Sequence, residues 1–148
     1  MSRKFLFFWG IIFLGDIDME FVKKGILFGI GGGSYYLLEL LWRGRSHVTM
    51  FILGGICFLL MGSLGSAEPK LTLPWRMVLS AVICTSGELL FGLLFNRGYQ
   101  IWDYRRLPLN WGGQICLWYT LLWLALSVVA MWLYDRCDRT LERLLPGF

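Results

Sequence analysis

Four long apolar runs, each closed off by charges or helix breakers, limit what this chain can fold into more than any other feature. A helix rises about 1.5 Å per residue and the hydrocarbon core of a bilayer is about 30 Å thick, so one crossing takes roughly 17 to 25 mainly apolar residues. Gly25–Trp42, Val48–Leu64, Trp75–Phe95 and Ile115–Tyr134 all satisfy that condition. Between them stand Arg43, Gly44 and Arg45, then a stretch with Pro69 and Pro74, then Asn96 through Gly113. A water-soluble fold would need more polar surface than a chain that is 57% hydrophobic and 16% charged can supply. The expected fold is therefore all-α, a polytopic membrane bundle of four transmembrane helices over residues 25–134.

The flanks read differently. Phe5–Leu14 is apolar but reaches only about 15 Å as a helix. It stops at Asp16, Asp18 and Glu20, and no small-residue cleavage site follows, so residues 1–24 are expected to form an interfacial segment rather than a signal peptide. After the last span, Arg136, Arg139 and Arg143 recur at helical spacing with Leu141, Leu144 and Leu145 on other positions, which predicts an amphipathic tail over 135–148. An ordinary solvated helix end is the competing reading.

The net charge of +4 is spread between the apolar runs, which suits lipid headgroups and not nucleic acid. On the side of the termini lie nine basic residues: Arg3, Lys4, Lys23, Lys24, Lys70, Arg76, Arg136, Arg139 and Arg143. On the other lie five, Arg43, Arg45, Arg97, Arg105 and Arg106, so both termini are expected to be cytoplasmic. Cys57, Cys84, Cys116 and Cys137 lie far apart and read as small packing residues. His47 is the single histidine, so no metal site is expected and the ring reads as an interfacial hydrogen-bonding group.

Two carboxylates fall inside the apolar runs, Glu39 and Glu88. A charged side chain at mid-bilayer costs about 2.5 to 3.5 kcal/mol on insertion scales, so each needs a partner. The spans alternate in direction, which brings the end of the first and the end of the third to the same side. Arg43 follows Glu39 by four residues, the favourable order for an ion pair on one helix face. On the third helix Ala81, Cys84, Thr85, Glu88 and Gly92 form one small or polar stripe that a neighbour can approach closely. Gly25, Gly29 and Gly33, with Gly31 and Gly32, offer the same on the first helix, and Gly55 and Gly62 on the second. Asp103 enters from the following loop, and Glu39, Arg43, Glu88 and Asp103 are the expected substrate or ion site.

That loop has its own signature. Asn96 and Gly98 are placed to end the third helix, Pro108 to direct a turn, and Asn110 to cap the fourth helix. Tyr99, Trp102, Tyr104 and Trp111 read as an aromatic belt at headgroup depth, and Trp102, Tyr104, Asn110 and Gln114 as the supports of a structured cap.

Leu38 to Gly44 (L-E-L-L-W-R-G), Gly87-Glu88, and above all Trp102-Asp103-Tyr104 followed by Pro108, Asn110, Gly113, Gln114, Ile115 and Cys116 resemble a known group. It is the CmpB-like family of small membrane proteins labelled type IV ABC-transporter permeases, and the resemblance covers Gly25 to Tyr134. It implies a polytopic membrane protein with a label of transport but no substrate. Two departures limit what is carried over. Many members continue after Arg43-Gly44 with a Gly-Pro-rich stretch, where this chain has Arg45 to Met50, and Arg105 stands where a serine is usual. Neither a re-entrant loop nor a hydroxyl contact is expected at those places.

The first functional expectation is a permease-like or channel-like transport subunit in a bacterial plasma membrane. No G-x-x-x-x-G-K-[ST] occurs, so ATP hydrolysis would need a separate ATPase subunit. Four short helices make a narrow path, which favours a homo-oligomer or another membrane subunit as partner. The second expectation is a non-transporting scaffold or regulatory subunit in which the glycine faces dock a partner. An intramembrane lipid enzyme using Glu39 or Glu88 lacks a nucleophile–base pair or metal motif, so neither catalysis nor a cofactor is expected.

Overall fold

A computed structural model describes the backbone over residues 3–145 and the side chains over 19–145. It is an all-helical fold of four helices with one short hairpin. These are α1 (Arg3–Arg43), α2 (Val48–Ser63), α3 (Leu73–Phe95), β1 (Asn110–Trp111), β2 (Ile115–Cys116) and α4 (Leu117–Leu144). The first helix is unbroken through the expected boundary at residue 24. The interfacial placement proposed for its start falls mainly on side chains outside the described residues, as do the last three residues of the tail. The tail itself is the continuation of α4, with no break at Tyr134.

α3 and α4 are long and apolar enough to cross a membrane. α1 and α2 do not meet that standard by length and composition, for two different reasons. The apolar half of α1 is diluted by five glycines between Gly25 and Gly33, by Tyr35 and Tyr36, and by Glu39. α2 has only 16 residues. Only 28% of the apolar stretch of α3 and 11% of that of α4 is buried, so their apolar side chains mostly face outward, as lipid-facing surfaces do.

α2 is the innermost element. Met50, Leu53, Cys57, Phe58 and Met61 are buried along it, packed by α1 on one side and by α3 and α4 on the other. Glycine notches set these approaches. A Cβ at Gly31 would meet Phe58, one at Gly32 would meet the Phe51 carbonyl oxygen, and one at Gly62 would meet Tyr134. A Cβ at Gly54 would lie 2.6 Å from the Tyr35 Cβ. In an apolar solvent such packing, not the hydrophobic effect, holds helices together. Of the expected stripe Gly25, Gly29, Gly33, only Gly33 reaches α2, where a Cβ would lie 4.0 Å from Phe51; nothing lies within 4 Å of a Cβ at Gly25 or Gly29. The closest approaches to α2 are at Gly31 and Gly32.

The third-helix stripe does face inward, with Ala81, Cys84, Glu88 and Gly92 buried and Thr85 Oγ1 3.0 Å from Thr120 Oγ1 on α4. Away from the loop, Lys23 on α1 bridges to Asp138 at 2.8 Å and Glu142 at 3.0 Å, tying α1 to the far end of α4. His47 caps α2, its Nδ1 accepting from the Thr49 amide at 3.2 Å.

Candidate functional site

The site is roofed by the loop between α3 and α4, and that loop is built on a buried amide pair. Asn96 stops α3 and is 1% exposed. Its Nδ2 donates to the Trp102 carbonyl at 2.7 Å and to Gln114 Oε1 at 3.1 Å, while its Oδ1 accepts from the Ile101 amide at 2.9 Å. Gln114 returns a bond from Nε2 to the Asn96 carbonyl at 3.1 Å. Each amide thus satisfies backbone that an irregular loop would otherwise leave unpaired. Gly92 leaves the room: a Cβ there would run into the Gln114 side chain.

Trp102 and Tyr104, expected in an aromatic belt, are instead core. Trp102 is 1% exposed and donates from Nε1 to the Gln114 carbonyl at 2.9 Å. The loop folds back over the helix ends, so these rings point into the bundle, whereas Trp111 remains exposed. Asn110 does not cap the fourth helix, whose first turn is preceded by Cys116. It pairs with Cys116 in the hairpin and closes the loop from inside, donating to the Leu107 carbonyl at 2.7 Å and accepting from the Gly113 amide at 3.0 Å. Gly112 and Gly113 form the hairpin turn at φ of 57° and 66°, a left-handed pair that side chains resist.

Under this roof the structure brings together three of the four expected site residues. Glu39 and Arg43 lie one turn apart at the end of α1, where the helix dipole favours a cation. Arg43 Nη2 donates to Glu39 Oε2 at 2.5 Å and Nη1 to the Ile101 carbonyl at 3.2 Å. Glu39 is 8% exposed and also accepts from Tyr35 and Ser46, each at 3.3 Å. Glu88 is 2% exposed. Its Oε1 accepts from Tyr104 Oη at 3.5 Å, and its Oε2 has no hydrogen-bond partner. Tyr104 is held by a stacked Tyr119, ring centroids 4.6 Å apart. Burial, then the Glu88 carboxylate, pushes its phenol well above the ordinary range, so the hydroxyl stays a donor.

Asp103 is not in the cluster. It points outward, accepts twice from the Arg105 guanidinium at 2.9 and 2.8 Å and once from the Arg105 amide at 3.0 Å. Those bonds hold its carboxyl down at about 2. Arg105 in turn lies 4.0 Å over the Tyr99 ring, so the residue that departs from the family pattern fastens the outside of the roof.

Two adjoining cavities complete the site. One of about 240 Å³ lies between α1, α4 and the roof and contains Glu39, Arg43, Tyr104 and Tyr119. The other, of about 230 Å³, lies deeper among all four helices and contains Glu88 with Cys57, Cys84 and Phe58. Tyr35, Leu38, Trp123 and Leu126 line both. Asn96, Tyr35 and Trp123 are the contributors that the sequence reading did not assign to the site. Tyr35 had a signal, since it precedes Glu39 by four residues. Asn96 was read as a helix stop only, and nothing in the spacing of Trp123 marks it.

No curated protein and no solved structure matches this chain. One family model does, over residues 7–146 of 148, so it spans the roof, both carboxylates and all four helices. The chain belongs to that family, whose description is "Putative ABC-transporter type IV".

Proposed function

We propose that the protein is a membrane transport subunit, permease-like, in which all four helices cross the bilayer with both termini cytoplasmic. α1 and α2 cross because their deficits are interior ones. Gly31, Gly32 and Glu39 of α1 face α2 or the cavities, and the 16-residue α2 is buried along one side while Val48, Ile52, Ile56 and Leu60 turn an apolar stripe outward, as a lipid-facing surface does. The observation that carries the reading is the pair of adjoining cavities, with shared walls, one holding an ion-paired carboxylate and the other a buried, half-satisfied carboxylate. An ionisable group at this depth without a full set of partners is costly, and in membrane proteins such groups mark solute or ion pathways. Energy from ATP would have to come from a separate subunit.

The test is flux. Purified protein in liposomes is assayed with a panel of ions and small solutes, for the native chain, Glu88→Gln, and Arg97→Gln outside both cavities. The expected result is flux that Glu88→Gln lowers by about tenfold or more, the scale of losing one charged hydrogen-bonding group, with Arg97→Gln unchanged. No flux across the panel overturns the reading. The scaffold reading then stands, favoured by the open space at Gly25 and Gly29, and it predicts a co-purifying membrane partner lost on Gly29→Leu.

A further inference from the structure

The deeper cavity holds a buried carboxyl that the chain leaves half-satisfied. Glu39 is matched by Arg43 and relieved by two hydroxyls, and Arg43 donates from Nη2 to Glu39 and from Nη1 to the Ile101 carbonyl, with neither directed to Glu88. Glu88 has a single long bond from Tyr104, and its second oxygen is unpartnered although the residue is 2% exposed. With both carboxylates ionised, the two cavities hold two negative charges and one positive.

The remaining walls say what may not fill the space. Met61, Leu126 and Val129 are apolar, Phe58 packs on Tyr134, and the Tyr35 and Trp123 rings stand 5.4 Å apart beside the carboxylate. A neutral apolar molecule leaves the oxygen orphaned. An anion meets Glu88 and Glu39. A small hydrated cation would shed its water against hydrocarbon. A cation with a large apolar body satisfies both the charge and the walls, and aromatic faces add their own attraction for it.

We infer that the cavity at Glu88 binds a lipophilic organic cation, an aromatic or aliphatic body bearing one positive charge. This rests on the transport reading and names its substrate class, with Glu88 as the counter-ion, Tyr35 and Trp123 as the aromatic walls and Leu126 as the wall shared with the outer cavity.

The probe is a matched pair of ions of nearly one shape and opposite sign, tetraphenylphosphonium and tetraphenylborate. Binding of radiolabelled tetraphenylphosphonium is measured on the native chain in lipid nanodiscs, with empty nanodiscs subtracted. Saturable binding is expected, with no competition from tetraphenylborate and about a tenfold or greater loss in Glu88→Gln. Ala130→Phe, which fills the cavity without touching the charge, is expected to lose binding to the same extent and serves if Glu88→Gln does not fold. Absence of saturable binding, equal binding of tetraphenylborate, or unchanged binding in a folded Glu88→Gln overturns the inference. Binding without flux of any solute supports the ligand class and sinks only the transport reading. Flux of other solutes without tetraphenylphosphonium binding does the reverse.

Discussion

Glu39 and Asp103 carry the same charge and stand on the same side of the bundle, yet their surroundings give them different consequences. Glu39 is closed in by Arg43, Tyr35 and Ser46, so removing the guanidinium leaves a buried carboxylate unmatched. Arg43→Gln is expected to destabilise the purified protein by about 3 kcal/mol, in the range for breaking a buried ion pair, read as the midpoint of unfolding in detergent. Asp103 faces water and pairs with an exposed Arg105, and such pairs contribute little. Asp103→Asn is expected to leave that midpoint unchanged. The sequence could point to Glu39, Arg43 and Glu88 because burial of charge is costly and helical spacing is regular. It could not place Asp103, whose direction depends on the path of an irregular loop. The Asn96–Gln114 pair was out of reach for the same reason: its partners lie 18 residues apart and meet only once that loop has folded.

Among elements, α2 shows why helix contacts in this chain are narrow. Its glycines admit rings from α1 and α4, and α1 answers with Gly31 and Gly32 at the points of closest approach. At Gly32 a Cβ would meet a backbone carbonyl, which cannot rotate away. Gly32→Ala is therefore expected to destabilise the fold by about 1 to 3 kcal/mol, the range for overpacking. Gly25→Ala, which meets nothing, is expected to be neutral or slightly stabilising, since Ala is the better helix former. Thermal unfolding of the two variants side by side measures the difference. That both lie in the same glycine-rich run explains what the sequence left open: spacing identifies small residues, but only the rotation of α1 about its axis decides which of them are used. On α3 the ambiguity did not arise, because Glu88 fixes which face of the stripe turns inward.

For the whole molecule, the apolar runs located the helices, but two of them run on past the expected boundaries: α1 is continuous from Arg3 through residue 24, and α4 continues past Tyr134 because its amphipathic tail keeps helical spacing through Arg143. What holds the fold together as one site is topology: two parallel helices, α1 and α3, must end on the same side for Glu39 and Glu88 to stand in adjoining cavities. That requires α2 and α3 each to cross the membrane once. The direct measurement is labelling in intact cells with a membrane-impermeant maleimide, in a background where the four native cysteines are replaced. Single cysteines are placed at the exposed positions Arg45, Lys70, Gln100 and Arg139. The account predicts labelling at Arg45 and Gln100 from outside, and at Lys70 and Arg139 only after the cells are permeabilised. Labelling of Arg45 and Gln100 from opposite faces would set Glu39 and Glu88 on opposite sides of the membrane and contradict a single site.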